Sequence, residues 1–339
     1  MTENAWGAQT QFFYSLTQDH VLNAIDELGF RTTGRCLPLN SMENRVYELE
    51  IECENPTSAS DNFVVAKFYR PGRWNRAQIK QEHQFLFDLA NAEIPVIAPK
   101  MFDSESLFQM DSGLFYCVFP KKGGRLLDEM NEDQVAKLGR TLARMHNIGS
   151  MHPAPDRIKI SPETYGDSNI AFLETSENLP TQFRELYIPM AKQCVELMRP
   201  HFNHLKTGRI HGDCHWGNII SRDEEMYLID FDDMLIGPAI QDIWLALPGR
   251  DSQAQADREV LLRNYESMRE FDRRELKLIE PLRTLRFIHF TAWIAKRYED
   301  PAFQRAFPHF KGEHYWQTQI QDLREQYALM MEVLSQGYY

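Results

Sequence analysis

The sequence predicts an α+β fold in two lobes, a small antiparallel sheet with one main helix followed by a larger, mostly helical lobe. Three observations carry that prediction. Residues 1–120 contain short strand-like runs separated by turns, the texture turns helical after Pro120-Lys121-Lys122-Gly123-Gly124, and a polar segment at 209–231 interrupts the helices. The boundaries expected are 1–120 for the first lobe, 121–125 for a hinge and 126–339 for the second lobe. No internal repeat or low-complexity tract points to a solenoid or a linker array.

In chain order, residues 46–51 alternate apolar and polar, residues 63–69 are apolar and β-branched, and the polar stretch 54–62 lies between them, which reads as a hairpin with a loose loop. Residues 107–110 and 114–119 flank Asp111-Ser112-Gly113, a second hairpin whose glycine can take positive φ. Between the hairpins, Ile79, Leu86 and Leu89 fall at helical spacing over 77–91. Val135, Leu138, Leu142 and Met145 open the helical lobe, with Gly149 as a stop, and helical periods dominate again from 259 onward. Inside the polar segment, 218–221 and 226–229 are short strand-like pieces.

Composition excludes several classes. With 43% apolar residues among 339, the chain can bury a large core. Its formal charge of -12 repels a nucleic-acid backbone, so no nucleic-acid partner is expected. Five cysteines without a C-x-x-C pair fit a reducing compartment. The first twenty residues hold no Lys, Arg or leader-like apolar run, and no stretch approaches a membrane span, so a cytoplasmic monomer without membrane contact is the expectation.

Residues 211–218 read His-Gly-Asp-Cys-His-Trp-Gly-Asn, and 230–233 read Asp-Phe-Asp-Asp. Phosphoryl transfer needs a carboxylate near the attacking hydroxyl and hard oxygen ligands for magnesium, because its catalysis is mostly positioning and charge neutralisation. Asp213 suits the first task, Asn218 and Asp230 the second. The competing readings are acids that merely solvate a surface turn, and a zinc or dinuclear hydrolase in which His211, Asp213 and His215 alternate along a strand to face one metal.

H-G-D-x-x-x-x-N followed by I-D-F-D resembles the catalytic and metal loops of aminoglycoside, choline and homoserine kinases, and more distantly those of protein kinases. That resemblance implies a protein-kinase-like fold, ATP as phosphate donor, Mg²⁺ as cofactor, Asp213 as catalytic aspartate, Asp230 as catalytic metal-loop acid, and Asn218 with Asp230 as magnesium ligands. His215 stands where many protein kinases carry a lysine, and Asp232 replaces the glycine of D-F-G. Lys67, in Val64-Val65-Ala66-Lys67-Phe68, sits like the kinase nucleotide-binding lysine, and Glu82 on the following helix is its natural partner.

No glycine-rich loop precedes Lys67; residues 39–47 read Leu-Asn-Ser-Met-Glu-Asn-Arg-Val-Tyr instead. With F-Y-R-P at 68–71, G-R at 124–125 and G-P-A-x-Q-D at 237–242, this stretch resembles the bacterial stress response kinase A family over 37–316. The resemblance implies Ser41 at the ATP phosphates, Phe119 at an adenine-holding hinge, Asp242 as a brace of the catalytic loop, and a protein Ser/Thr hydroxyl as acceptor, that of the enzyme itself included. The motifs alone equally serve a small-molecule kinase acting on an amino alcohol or aminoglycoside. A nucleotide-binding pseudokinase is the non-enzyme alternative, opposed by the presence of Lys67, Asp213, Asn218 and Asp230 together.

Overall fold

A computed structural model describes residues 13–127, 129–222 and 224–335; residues 1–12, part of the stretch read for a leader, lie outside them. The first lobe opens with α1 (Gln18–Asp26), capped by Thr17. Five antiparallel strands follow: β1 (Thr32–Pro38), β2 (Arg45–Ile51), β3 (Phe63–Phe68), β4 (Phe108–Gln109) and β5 (Phe115–Pro120), in the order β1-β2-β3-β5-β4. Both expected hairpins form, and Gly113 has φ +89°.

The pleat of β3 explains where Lys67 goes. Val64, Ala66 and Phe68 point to one face and pack with Val21 and Ile25 of α1, whereas Lys67, at the next position, points to the other. That second face carries Cys117 beside Ile79 of α2 (Arg76–Asn91), the helix that starts at an Asn75/Gln78 capping box. One alternation thus separates the lobe's core from its working surface.

The second lobe begins beside β6 (Arg125–Leu126), which pairs with β8 (Ile219–Arg222), itself paired with β9 (Glu225–Leu228). β7 (Gly208–Ile210) pairs with β10 (Leu235–Gly237). Around these hairpins pack α3 (Glu132–Gly149), α4 (Ser168–Thr175), α5 (Thr181–Met198), α6 (Ile240–Ala246), α7 (Ser252–Glu266), α8 (Ile279–Arg297), α9 (Pro301–Ala306) and α10 (Glu313–Ser335). Their shared core includes Leu142, Tyr187, Ile243, Leu282 and Trp316.

Two local readings change. Gly149 is the last residue of α3, as expected of a stop, but for a different reason: a Cβ there would lie 2.1 Å from the Arg209 carbonyl oxygen, so close approach of β7 demands the glycine. The sequence reading places nothing on 168–198, where α4 and α5 form; α5 carries Pro189 in its interior, ordinarily a breaker, and buries Phe183, Tyr187 and Val195 in compensation.

Candidate active site

β7 delivers the chain into the segment 211–218. The Asp242 carboxylate, fully buried on α6, accepts from the His211 N–H at 2.9 Å and the Gly212 N–H at 2.8 Å. His146 Nε2 lies 3.0 Å from the same carboxylate, and its Nδ1 lies 2.9 Å from the Tyr265 hydroxyl. Two orphan backbone donors and a buried charge are thereby satisfied at once. Gly212 takes φ +85°, and a Cβ there would meet the Asp233 carbonyl oxygen at 2.2 Å.

That positive φ breaks the strand alternation on which a metal hydrolase would depend. The Asp213 N–H donates to His211 Nδ1 at 3.3 Å, and His211 Nε2 lies 2.9 Å from the Ile229 carbonyl oxygen. With both ring nitrogens engaged, His211 is a packing histidine over Phe231 rather than a ligand beside Asp213 and His215. Among the described residues no group of three or more His, Cys, Asp or Glu is arranged to hold a metal.

The turn aims Asp213 at the gap between the lobes. Arg286 of α8 approaches one of its oxygens at 2.8 Å, and His215 Nε2 the other at 3.4 Å. Burial alone would raise this carboxyl, but the hydrogen bond from His215 and the charge of Arg286 hold it well below the usual carboxylate range. Asn218 donates its Nδ2–H to the Asp213 carbonyl at 3.0 Å, leaving its amide oxygen on the other side. The Ile229 N–H donates to the Asn218 carbonyl at 3.0 Å, so the turn that starts at Asp230 stands on neighbouring backbone.

Asp230 itself is left-handed, φ +59°, with a side chain 55% exposed. Phe231 is buried, and Asp232 points back toward the first lobe. There Lys67 Nζ lies 3.0 Å from Asp232, 3.4 Å from Asp230 and 3.5 Å from Glu82. Burial would depress the lysine, yet Asp232, Glu82 and Asp230 together hold its ammonium above the ordinary lysine value. Burial raises Glu82, whose two oxygens accept no hydrogen bond, against the opposing pull of Lys67.

Arg73 from the first lobe pairs with both Asp232 and Asp233. Arg157, stacked 4.1 Å from the Trp74 ring, donates to the Asp232 carbonyl at 2.5 Å and the Met234 carbonyl at 2.7 Å. Above the cleft, Glu43 reaches across to α8, accepting from Trp293 Nε1 at 2.6 Å and pairing with Arg297 at 2.7 Å. Ser41 Oγ accepts from the Asn44 N–H at 3.3 Å, capping the same loop.

Of the sequence-predicted residues, Ser41, Lys67, Glu82, Phe119 and Asp230 line one cleft of about 300 Å³, whereas Asp213 and Asn218, tied to each other by a hydrogen bond, do not. A second hollow of about 270 Å³ adjoins it, lined by Asp213, Arg286, Tyr165, His289, Phe290 and Trp293. The donor set suits a hard divalent cation: the half-exposed carboxylate of Asp230 and the amide oxygen of Asn218 would leave most positions to water and phosphate, as Mg²⁺ prefers. Sequence reasoning missed Asp232 as the nearest carboxylate to Lys67, along with Arg73, Arg157, Glu43 and Arg286. Asp232 and Arg73 border motifs already noted, at D-F-D-D and just past F-Y-R-P, whereas Arg157 and Arg286 carry no local signal.

Comparison with known proteins places the chain as a whole. A family model described as the phosphotransferase enzyme family matches residues 36–279. The chain is 38% identical over 321 residues to a stress response kinase A from Escherichia coli O157:H7, covering 94% of this chain and 95% of that one. It is 37% identical over 336 residues to the serine/threonine protein kinase RdoA of Salmonella typhimurium, covering 98% and 97%. Among solved structures, the amicoumacin kinase hAmiN in complex with AMP-PNP, Ca²⁺ and Ami superposes with a TM-score of 0.71 at 19% identity, over 91% of this chain and 96% of that one, a likeness of fold.

Proposed function

Because the chain belongs to the phosphotransferase enzyme family, with the two-lobed kinase-like fold and ATP as phosphate donor, we propose that its acceptor is a serine or threonine hydroxyl of a protein, its own chain included. The relative named a serine/threonine protein kinase, alike over nearly its whole length, supports that acceptor. The observation that carries the chemistry is the meeting of Lys67 with Asp230 at 3.4 Å, which joins the strand of one lobe to the turn of the other.

In this reading the Lys67 ammonium, held by Glu82 and Asp232, binds the phosphates of ATP, and the Ser41 hydroxyl with nearby backbone N–H groups covers them. Backbone groups at Phe119 hold the adenine. Asn218 and Asp230 would hold Mg²⁺, which when bound neutralises charge on the phosphate oxygens. Asp213 orients the acceptor hydroxyl and takes its proton as the hydroxyl oxygen bonds to the γ-phosphorus; the bond to the β-phosphate oxygen breaks, and its electron pair leaves with ADP. The cytosol is proposed as the compartment, consistent with five free cysteines. No helix among the described residues is long and apolar enough to cross a membrane.

The test is label transfer from γ-labelled ATP with Mg²⁺, comparing the wild type with Asp213→Ala on a protein acceptor and on a panel of amino alcohols and aminoglycosides. Label on serine or threonine, lost in the variant, is expected. Label confined to small molecules would replace the protein acceptor with the small-molecule reading, for which the hollow of about 270 Å³ beside Asp213 has room.

A further inference from the structure

The hollow beside Asp213 has a charge arrangement that selects among acceptors. Three carboxylates line it, those of Glu43, Asp213 and Asp233. Each already faces an arginine: Glu43 has Arg297 at 2.7 Å and Arg70 at 3.2 Å, Asp233 has Arg73, and Asp213 has Arg286 at 2.8 Å. A cationic amino alcohol or aminoglycoside entering here finds no unpaired acid to bind, and it meets the guanidinium of Arg286 at the oxygen that must receive the acceptor hydroxyl.

Arg286 differs from the other arginines of this set. Its side chain is 37% exposed and borders the hollow, and Asp213 is its one carboxylate partner among the described residues. A guanidinium has five N–H donors, most of which remain for a ligand. When an acceptor hydroxyl takes its place against Asp213, Arg286 loses that partner, so an acceptor that brings a second anion is favoured over one that does not.

Apart from His215, which also borders the hollow 3.4 Å from Asp213, the remaining walls are mostly flat rings. Tyr165 and His289 stack at 4.2 Å, and burial depresses His289 to about 3, so it adds no charge. At the mouth Phe290, 43% exposed, stacks on Trp293 at 5.4 Å. An extended peptide can rest on these rings while one side chain descends to Asp213.

We infer that Arg286 is a specificity-determining residue which selects serine or threonine acceptors flanked by Asp or Glu, exchanging its contact with Asp213 for the acceptor's own carboxylate as the hydroxyl docks. This inference rests on the serine/threonine reading and names its substrate class. Arg286 thus covers the catalytic carboxylate until an acidic acceptor arrives.

The experiment measures kcat/KM for serine peptides of one length carrying Glu, Gln or Lys at each flanking position, with wild type, Arg286→Lys, Arg286→Met and Arg286→Glu. ATP affinity and melting temperature of each variant guard against misfolding. The wild type should favour the best Glu peptide over its Lys counterpart by about tenfold or more. Arg286→Lys should keep that preference, Arg286→Met should bring the ratio to within about twofold, and Arg286→Glu should reverse it. Peptide phosphorylation without acidic preference, or a ratio unchanged in Arg286→Glu, overturns the inference and leaves the serine/threonine reading standing. Label on no peptide but on a small molecule overturns that reading and the inference with it.

Discussion

The two turns that meet in the cleft are supported in different ways. The catalytic turn at 211–218 is braced from within its own lobe: Asp242 accepts two backbone hydrogen bonds, and His146 and Tyr265 close the network behind it. The turn at 230–233 is held from both lobes: Arg157 of its own lobe donates to the Asp232 and Met234 carbonyls, while Arg73 and Lys67 of the first lobe pair with the Asp232 and Asp233 side chains. One support is indifferent to how the lobes sit, and the side-chain half of the other depends on it. Under the proposed mechanism, the acid that orients the acceptor is built in advance, while the side chains of the phosphate-binding groups are set by lobe approach.

The widest separation of the two turns comes from removing their leading acids. Asp213→Ala should lower kcat by on the order of 10³-fold while ATP affinity, followed by fluorescence titration, stays within about twofold. Asp230→Ala should lose turnover to a similar degree but also weaken ATP binding and its dependence on Mg²⁺; equal ATP affinity in both variants would break the division of labour.

Next in size is the brace. Asp242→Ala leaves two buried N–H groups and His146 without their acceptor, and urea unfolding should show a loss of roughly 3 kcal/mol. Hydrogen exchange should rise at 211–218. Glu43→Gln, which weakens the strap from the loop over the cleft to α8, should do the reverse: KM for ATP rises by about fivefold, exchange quickens at 39–46, and 211–218 stays protected. Quickened exchange at both turns in either variant would show that they are one unit.

The smallest effect is a control away from both turns. Burial raises Glu275 to about 7, helped by Asp272. Its folded value lies above the unfolded one, so folding is penalised as pH rises from about 4.5 through 7. Glu275→Gln should then raise stability by about 1 kcal/mol at pH 8, discounted for partial exposure, with little gain near pH 4.5, as read by thermal melts; kcat should not move.

The two lobes were legible because apolar alternation and helical periods are local properties of contiguous residues. The motif that carries Asp213, Asn218 and Asp230 was legible for the same reason, since its spacing lies within two adjacent turns. Arg286 and Arg157 were not: each acquires its partner through the packing of a distant helix or loop, and no local pattern encodes such an encounter. Glu43 meets Trp293 across 250 residues of chain. Asp232 sat in plain view at D-F-D-D, but only the pleat of β3 reveals that it, rather than Glu82, stands nearest Lys67. The gap at 168–198 has a similar origin, because Pro189 argues locally for a break that the surrounding core overrides.

The close approach of Gly212 to the Asp233 carbonyl bears on how this site can change over generations. The two turns interlock at a position that tolerates no side chain, so a shift in one drags the other. The acceptor wall on α8 lies outside that interlock. Arg286 and Phe290 can change without disturbing the shared backbone contact, so under the proposed reading the acceptor can change while the reaction stays fixed.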